Sequence, residues 1–178
     1  MPDSYRYDIA AYELTKLLGV ELIPPVVERS IEGRQGTLQV KLENCIRERD
    51  RRRKKLEPPD AKAFKNALED LKVFANLAYD DCFNIDDIYV HREDWRVCRV
   101  DFSEAFAPVL ELLPGCGLTA CSKKLYQGLL DLAAETAKET LGRYLSEEEI
   151  AACLIRRQLI LGKIDALIAE KGKNNVLF

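Results

Sequence analysis

Phe64, Leu68, Leu71, Ala75 and Ala78 recur at the i, i+4, i+7, i+11 and i+14 spacing of a single apolar stripe, which fixes a long helix that must bury that stripe against other elements. Asp60, just after the Pro58-Pro59 break, is placed to cap its first turn. The helix delivers the chain to Asp80-Asp81-Cys82-Phe83-Asn84-Ile85-Asp86-Asp87, a loop rich in carboxylates. Beyond it, Ile88-Tyr89-Val90 and the stretch from Trp95 to Val100 flank the polar His91-Arg92-Glu93-Asp94, a hairpin pattern. The hairpin brings Asp101-Phe102-Ser103 back toward the loop, so Asp101 is expected at a strand end facing it. A helix is expected from Ser103 to Leu113.

Upstream, Tyr5, Ile9, Tyr12 and Leu17 have helical spacing, and Gly19 stops a first helix that runs from about Ser4 to Leu18. Pro24-Pro25 excludes helix, and Val26-Val27 through Ile31, then Glu32-Gly33-Arg34-Gln35-Gly36 and Thr37-Leu38-Gln39-Val40, read as a two-stranded hairpin. From Glu43 to Lys55 the chain is crowded with arginine and lysine. No aromatic residues are interleaved there for base stacking, so the run reads as a solvated face rather than a nucleic-acid site. In the last third Ser122 caps a helix carrying Leu125, Leu129, Ala133 and Leu141. Ser146-Glu147-Glu148-Glu149 forms a capping box for another, whose face is Ile150, Leu154, Leu161, Ile164 and Ile168 and whose stop is Gly172. The fold class is therefore α+β, mostly α-helical.

The 178 residues suit one domain, and a net charge of −3 points to neither a nucleic-acid nor a membrane partner. No apolar run reaches the ~20 residues of a membrane span, and Met1 to Arg6 lacks the pattern of a secretory leader. A cytoplasmic location follows as the expectation. The six cysteines lack paired short spacings and His91 is the single histidine, which argues against a zinc site and for reduced thiols acting as small buried hydrophobes. His91 reads as a turn residue.

Several strings together resemble bacterial kinase-like proteins related to the HipA toxin kinases and the phosphatidylinositol 3- and 4-kinases. They are Ile9-Ala10-Ala11-Tyr12-Glu13-Leu14, Pro24-Pro25-Val26-Val27-Glu28-Arg29, Gly36-Thr37-Leu38-Gln39, Val73-Phe74-Ala75-Asn76-Leu77, Asp94-Trp95-Arg96, Asp101-Phe102-Ser103-Glu104-Ala105-Phe106 and Ile155-Arg156-Arg157. The resemblance spreads over nearly the whole chain and rests on many short matches rather than one diagnostic motif. It implies one kinase-like domain over 1–178, with 1–40 a remnant of the N-terminal lobe and 41–178 a C-terminal lobe. The first helix would be the one that positions the ATP-binding lysine, and Gln39 and Val40 would lie at the hinge beside the nucleotide. A glycine-rich phosphate loop and the strand bearing that lysine do not precede Ser4 in this sequence.

The family's catalytic loop reads Asn-x-Asp-Arg-x-x-x-Asn. Aligned without a gap, Asp80 takes its first position, Cys82 the catalytic aspartate, Phe83 the arginine and Asp87 the metal-binding asparagine, while Asp101 matches the second metal-binding aspartate. A thiol at neutral pH carries no charge beside an acceptor hydroxyl. Asp81, one residue away, could serve as a surrogate base, and Cys82 could instead be a reactive thiol or a disulfide partner of Cys98. Asp87, Asp101 and Asp86 form the expected metal set, for Mg or Mn with ATP, although Asp80, Asp81, Asp86 and Asp87 equally suit a solvated acidic loop. The function expected is that of a degenerate kinase-like protein, a pseudokinase, acting by binding a partner or ligand. The alternative is an active phosphotransferase completed by another chain or by a further N-terminal segment. A homodimer or a protein partner is expected to cover apolar surface on the first helix and hairpin.

Overall fold

The computed structural model describes residues 4–178. Met1 to Asp3, where the leader reading and the 1–178 boundary begin, lie outside the described residues.

Helix α1 (Tyr5–Leu17) is capped by Ser4 and stopped at Gly19, whose φ is +68°. Its buried face is rotated from the expected one. Tyr7, Ile9, Ala10, Ala11 and Leu14 are buried, whereas Tyr5, Tyr12 and Leu17 are only half so. Ala10 and Ala11 are small enough to let neighbouring backbone close in, and the tyrosines keep their hydroxyls near water. Strands β1 (Val26–Ile31) and β2 (Arg34–Gln39) form the expected antiparallel hairpin. Its two-residue turn, Glu32-Gly33, has φ of +52° and +79°, the positive values that a primed turn requires at both positions.

The basic stretch is more structured than expected. Cys45–Arg47 is a strand, β3, followed by the short helix α2 (Glu48–Arg53). Glu48 is fully buried; the Arg51 Nε donates to it at 2.6 Å and the Arg52 Nε at 2.7 Å, while the Arg51 guanidinium stacks on the Phe64 ring. Burial, the largest single influence, acts to raise the Glu48 pKa, but the hydrogen bonds and charges of Arg51 and Arg52 together outweigh it and hold the pKa below the ordinary value.

Helix α3 (Ala61–Ala78) begins at Asp60, whose Oδ1 accepts the Ala63 amide at 2.9 Å. Its first half buries a stripe, but Val73 to Ala78 are buried all round. Strands β4 (Ile88–His91) and β5 (Val97–Arg99) form the second expected hairpin, and β3 adds to give the antiparallel order β3-β4-β5. His91 closes β4 and meets the Asp94 carboxylate at 2.8 Å.

No helix forms between Ser103 and Leu113. The carbonyls such a helix would need are taken by the wholly buried Arg156: NH1 donates to Ala107 O at 3.0 Å and to Val109 O at 2.6 Å, and Nε to Leu77 O at 3.0 Å. Pro108 removes one helical donor. Asn76 completes the anchoring, accepting the Leu113 amide at 3.0 Å and donating to Cys116 O at 3.2 Å. The single helix expected after Ser122 is two, α4 (Lys123–Asp131) and α5 (Ala134–Leu141), broken where Arg157 takes the Leu132 carbonyl. Leu132 and Ala137, rather than Ala133, are buried there.

Helix α6 (Glu147–Lys171) starts with the expected capping box and packs along α3. Glu149 also accepts from the Tyr7 hydroxyl, which ties α1 to α6. Of its expected face, Ile150 and Ile164 are buried, and Cys153, Arg156 and Ile160 join them in place of Leu154 and Leu161. The short α7 (Lys173–Val176) brings Leu177 and Phe178 back to Cys121 and Lys123. Among the described residues no helix is long and apolar enough to cross a membrane.

Arg156→Met should unfold about 3–5 kcal/mol more easily than wild type in urea, because the carbonyls it serves lose their donor inside the core. Arg156→Lys should recover part of the loss; a Met variant of unchanged stability would show that the clamp carries no load.

Candidate functional site

The C-terminal end of α3 aims the chain into the acidic loop through Tyr79, which adopts a left-handed φ of +51°. Asp80 then turns inward. It is nearly buried and meets Arg99 of β5, NH2 to Oδ2, at 2.6 Å. Burial pushes its carboxyl up to about 6 against the opposing pull of Arg99. Arg99 itself lies over the Phe102 ring and is buried because β5 alternates, with Val97 and Arg99 inward and Cys98 toward the other face.

The next residues turn outward. Asp81 is exposed and accepts the Phe83 amide at 2.8 Å. Cys82, at the place expected for the catalytic aspartate, is bonded to Cys116, with 6.3 Å between their Cα atoms. This corrects both the pairing with Cys98 and the reading of all six cysteines as reduced. The physical reason is Asn76, which fixes Leu113 and Cys116 beside the loop, whereas Cys98 lines a separate hollow with Cys45 and His91. The thiols of Cys98 and Cys153 are pushed by burial up to about 11, as suits small apolar fillers.

Asp86 is ion-paired with Arg49 at 2.9 Å. Asp87 accepts from the Asn84 side chain, and its carbonyl accepts the Val100 amide at 3.0 Å. That backbone bond brings the loop against Asp101. Burial first, and then the charge of Asp101, raises the Asp87 pKa. Asp101 has a φ of +60° and its Oδ1 accepts the Ser103 hydroxyl at 2.9 Å. A non-glycine residue in that conformation is held there by its surroundings. Among the described residues no three His, Cys, Asp or Glu side chains converge closely enough to hold a cation alone. Two carboxylates do fit Mg²⁺, which ordinarily takes one or two carboxylates and completes its shell with water and phosphate oxygens.

A residue that sequence reasoning missed completes this side. Asp8, in the first turn of α1, accepts the Phe102 amide at 2.8 Å. It lines a cavity of about 210 Å³ with Val26, Thr37, Gln39, Val100 and Asp101. Gln39, expected at the hinge, therefore does face Asp101; Val40 lines the larger hollow of about 480 Å³ behind it, away from the acids. On the opposite side of the loop, Asp80, Asp81, Cys82, Phe83 and Glu104 border a groove of about 360 Å³. The acidic loop thus separates two hollows, one toward the hairpin and one toward the segment after Asp101.

The whole arrangement is similar to solved kinases. The structure of Fam20 with sugar, from hydra, matches with a TM-score of 0.72 at 15% identity, over 99% of this chain and 74% of that one. The Golgi casein kinase matches with a TM-score of 0.69 at 12% identity, over 98% of this chain and 64% of that one. The fold is therefore kinase-like. No protein-family model matches the chain, and no curated protein matches it.

Because the folded Asp80 pKa of about 6 lies above its ordinary 3.8, the native state binds the extra proton. Stability should then fall by about 2–3 kcal/mol as pH rises from 4 to 6. Urea unfolding across that range should show the fall in wild type and lose it in Asp80→Asn, whose uncharged side chain stands in for the protonated acid. Equal slopes in the two proteins would refute the assignment to Asp80. Non-reducing peptide mapping should link Cys82 to Cys116, and reduction should cost about 3–4 kcal/mol for a closed loop of this length. A free Cys82 thiol in that map would remove the pairing.

Proposed function

We propose that this chain is a degenerate kinase-like protein that binds a nucleotide or partner without efficient phosphate transfer. The observation that carries the reading is the Cys82–Cys116 bond. A kinase aspartate at that place orients an acceptor hydroxyl and receives its proton. A half-cystine offers neither negative charge nor a basic lone pair of comparable strength, and the bond ties the loop to the segment bearing Cys116. The narrower kinship to HipA and phosphatidylinositol kinases, and a bacterial source, are part of this proposal. So is a homodimer or protein partner over the hairpin. For location, disulfides persist in oxidising compartments and are rare in the cytosol, so the bond weighs against the cytoplasmic expectation.

Asp87 and Asp101 would hold Mg²⁺ or Mn²⁺ when nucleotide is bound, the cation neutralising phosphate charge. Gln39, with Asp8 and Thr37, would border the nucleotide. Burial first and the Asp101 charge second raise Asp87, and a cation would offset the second of these.

One observation favours an enzyme instead: Asp81 is exposed in the groove beside Cys82. With Asp81 as base and Asp87 and Asp101 on the metal, transfer to a protein or small-molecule hydroxyl is chemically complete once a phosphate-binding element is supplied by another chain or a further segment.

Calorimetry of ATP with Mg²⁺ and separately with Mn²⁺ should show metal-dependent binding that Asp101→Asn abolishes, while labelled ATP transfers no phosphate to the chain or to casein. Turnover that falls about a hundredfold in Asp81→Asn, the range of a lost general base, would replace this reading with the enzyme. The absence of binding in wild type would leave the fold as a scaffold only.

A further inference from the structure

The register of the first hairpin sorts its side chains into two faces. Val26, Thr37 and Gln39 point toward α1 and the Asp101 cavity, and Glu28 accepts from the Tyr5 hydroxyl. The opposite face carries the cross-strand pairs Val27 with Leu38, Arg29 with Gly36, and Ile31 with Arg34. The Val40 amide donates to Pro25 O and extends the ladder by one step, so Val40 continues this face to the rim of the larger hollow, which it also lines. Val27 is 43% exposed, Leu38 and Val40 55% each, and Ile31 66%. These are four of the most exposed large apolar side chains of the molecule, and they lie together on two strands that have no further strand on either edge.

A two-stranded sheet with one bare apolar face is marginal in water, and contiguous exposed apolar surface of this kind marks an interface. The charges choose the occupant. Arg29 and Arg34 lie on the same face, both are exposed, and neither forms an ion pair among the described residues. Glu28, the acid within β1, is turned to the other face. A second copy stacked in register on this face would set arginines against arginines.

We propose that this face is a docking surface for a segment of another protein that presents apolar side chains alongside carboxylates. Val27, Leu38 and Val40 bury the apolar residues, and Arg29 and Arg34 meet the acids. The inference builds on the binding role proposed above. It does not depend on nucleotide, because the face points away from the Asp8 and Asp101 cavity; the calorimetric test and the one below can fail separately.

The probe is a fluorescent peptide of alternating valine and glutamate, with a valine–lysine peptide as its counterpart, titrated onto the full chain and followed by anisotropy. The glutamate peptide should bind at least about tenfold more tightly than the lysine peptide, with an affinity that weakens as salt rises. The double variant Arg29→Glu/Arg34→Glu should invert that preference, and Leu38→Asp should weaken binding by about tenfold or more. All these residues are exposed, so unchanged circular dichroism and melting are expected of the variants. Three results would overturn the proposal: no binding of the glutamate peptide, equal binding of both peptides, or indifference to the arginine reversal. Light scattering that shows a dimer abolished by Leu38→Asp would assign the face to a second copy and overturn it as well.

Discussion

Arg156 is the cation around which the C-terminal half is assembled. It reaches from α6 to the last turn of α3 and to the chain following Asp101, and its bonds go to backbone carbonyls rather than to a carboxylate. Placed there, it complements the negative end of the α3 dipole and supplies donors to an irregular segment that would otherwise bury unpaired oxygens. Burial lowers its pKa, yet a guanidinium stays charged at any physiological pH, so the clamp does not switch. It gives a long non-helical stretch one conformation inside the core.

That fixed stretch is what gives the acidic loop its shape. Asn76 and Arg156 hold residues 107–116 in place, the Cys82–Cys116 bond pins the outer side of the loop to them, and the Asp80–Arg99 pair pins its inner side to β5. Asp87 and Asp101 then meet through the Val100 to Asp87 backbone bond, without any direct attraction between their side chains. Under the proposed reading, these two carboxylates are the ones a cation would join.

Periodicity was a good guide wherever one face of an element is buried. The stripe from Phe64 to Ala78 marked α3, alternation marked both hairpins, and Ser146 with Glu149 marked the start of α6. It misled where polar groups build the interior. Glu48, Arg99 and Arg156 are buried charges whose partners lie in other elements or far along the chain, so no local window reveals them. The helix expected after Ser103 failed because its carbonyls were claimed by an arginine 49 and 47 residues away. In the site, the family resemblance pointed to Asp101 and Asp87, whereas Asp8 left no signal, because its contact follows from how α1 docks on Phe102. The pairing of Cys82 required the position of Cys116, which only the Asn76 anchor sets. Arg99 alone left a trace: it occupies an inward position of β5, in phase with Val97.

The electrostatics of the cleft constrain how it can be used. Its lining near the loop is Asp8, Asp101, Thr37 and Gln39 with two valines, and contains no basic side chain. Arg99, the nearest cation by sequence, is committed to Asp80. A bare triphosphate brought to such a surface meets only negative charge and neutral dipoles, in a partly desolvated cavity where repulsion is weakly screened. Under the proposed reading, a divalent cation held by Asp101 and Asp87 would supply the positive charge that the lining lacks. On that reading, nucleotide would have to bind together with its metal rather than alone. That requirement holds equally for an enzyme and for a pseudokinase, because it follows from the charges lining the cavity and is independent of what Cys82 or Asp81 does afterwards.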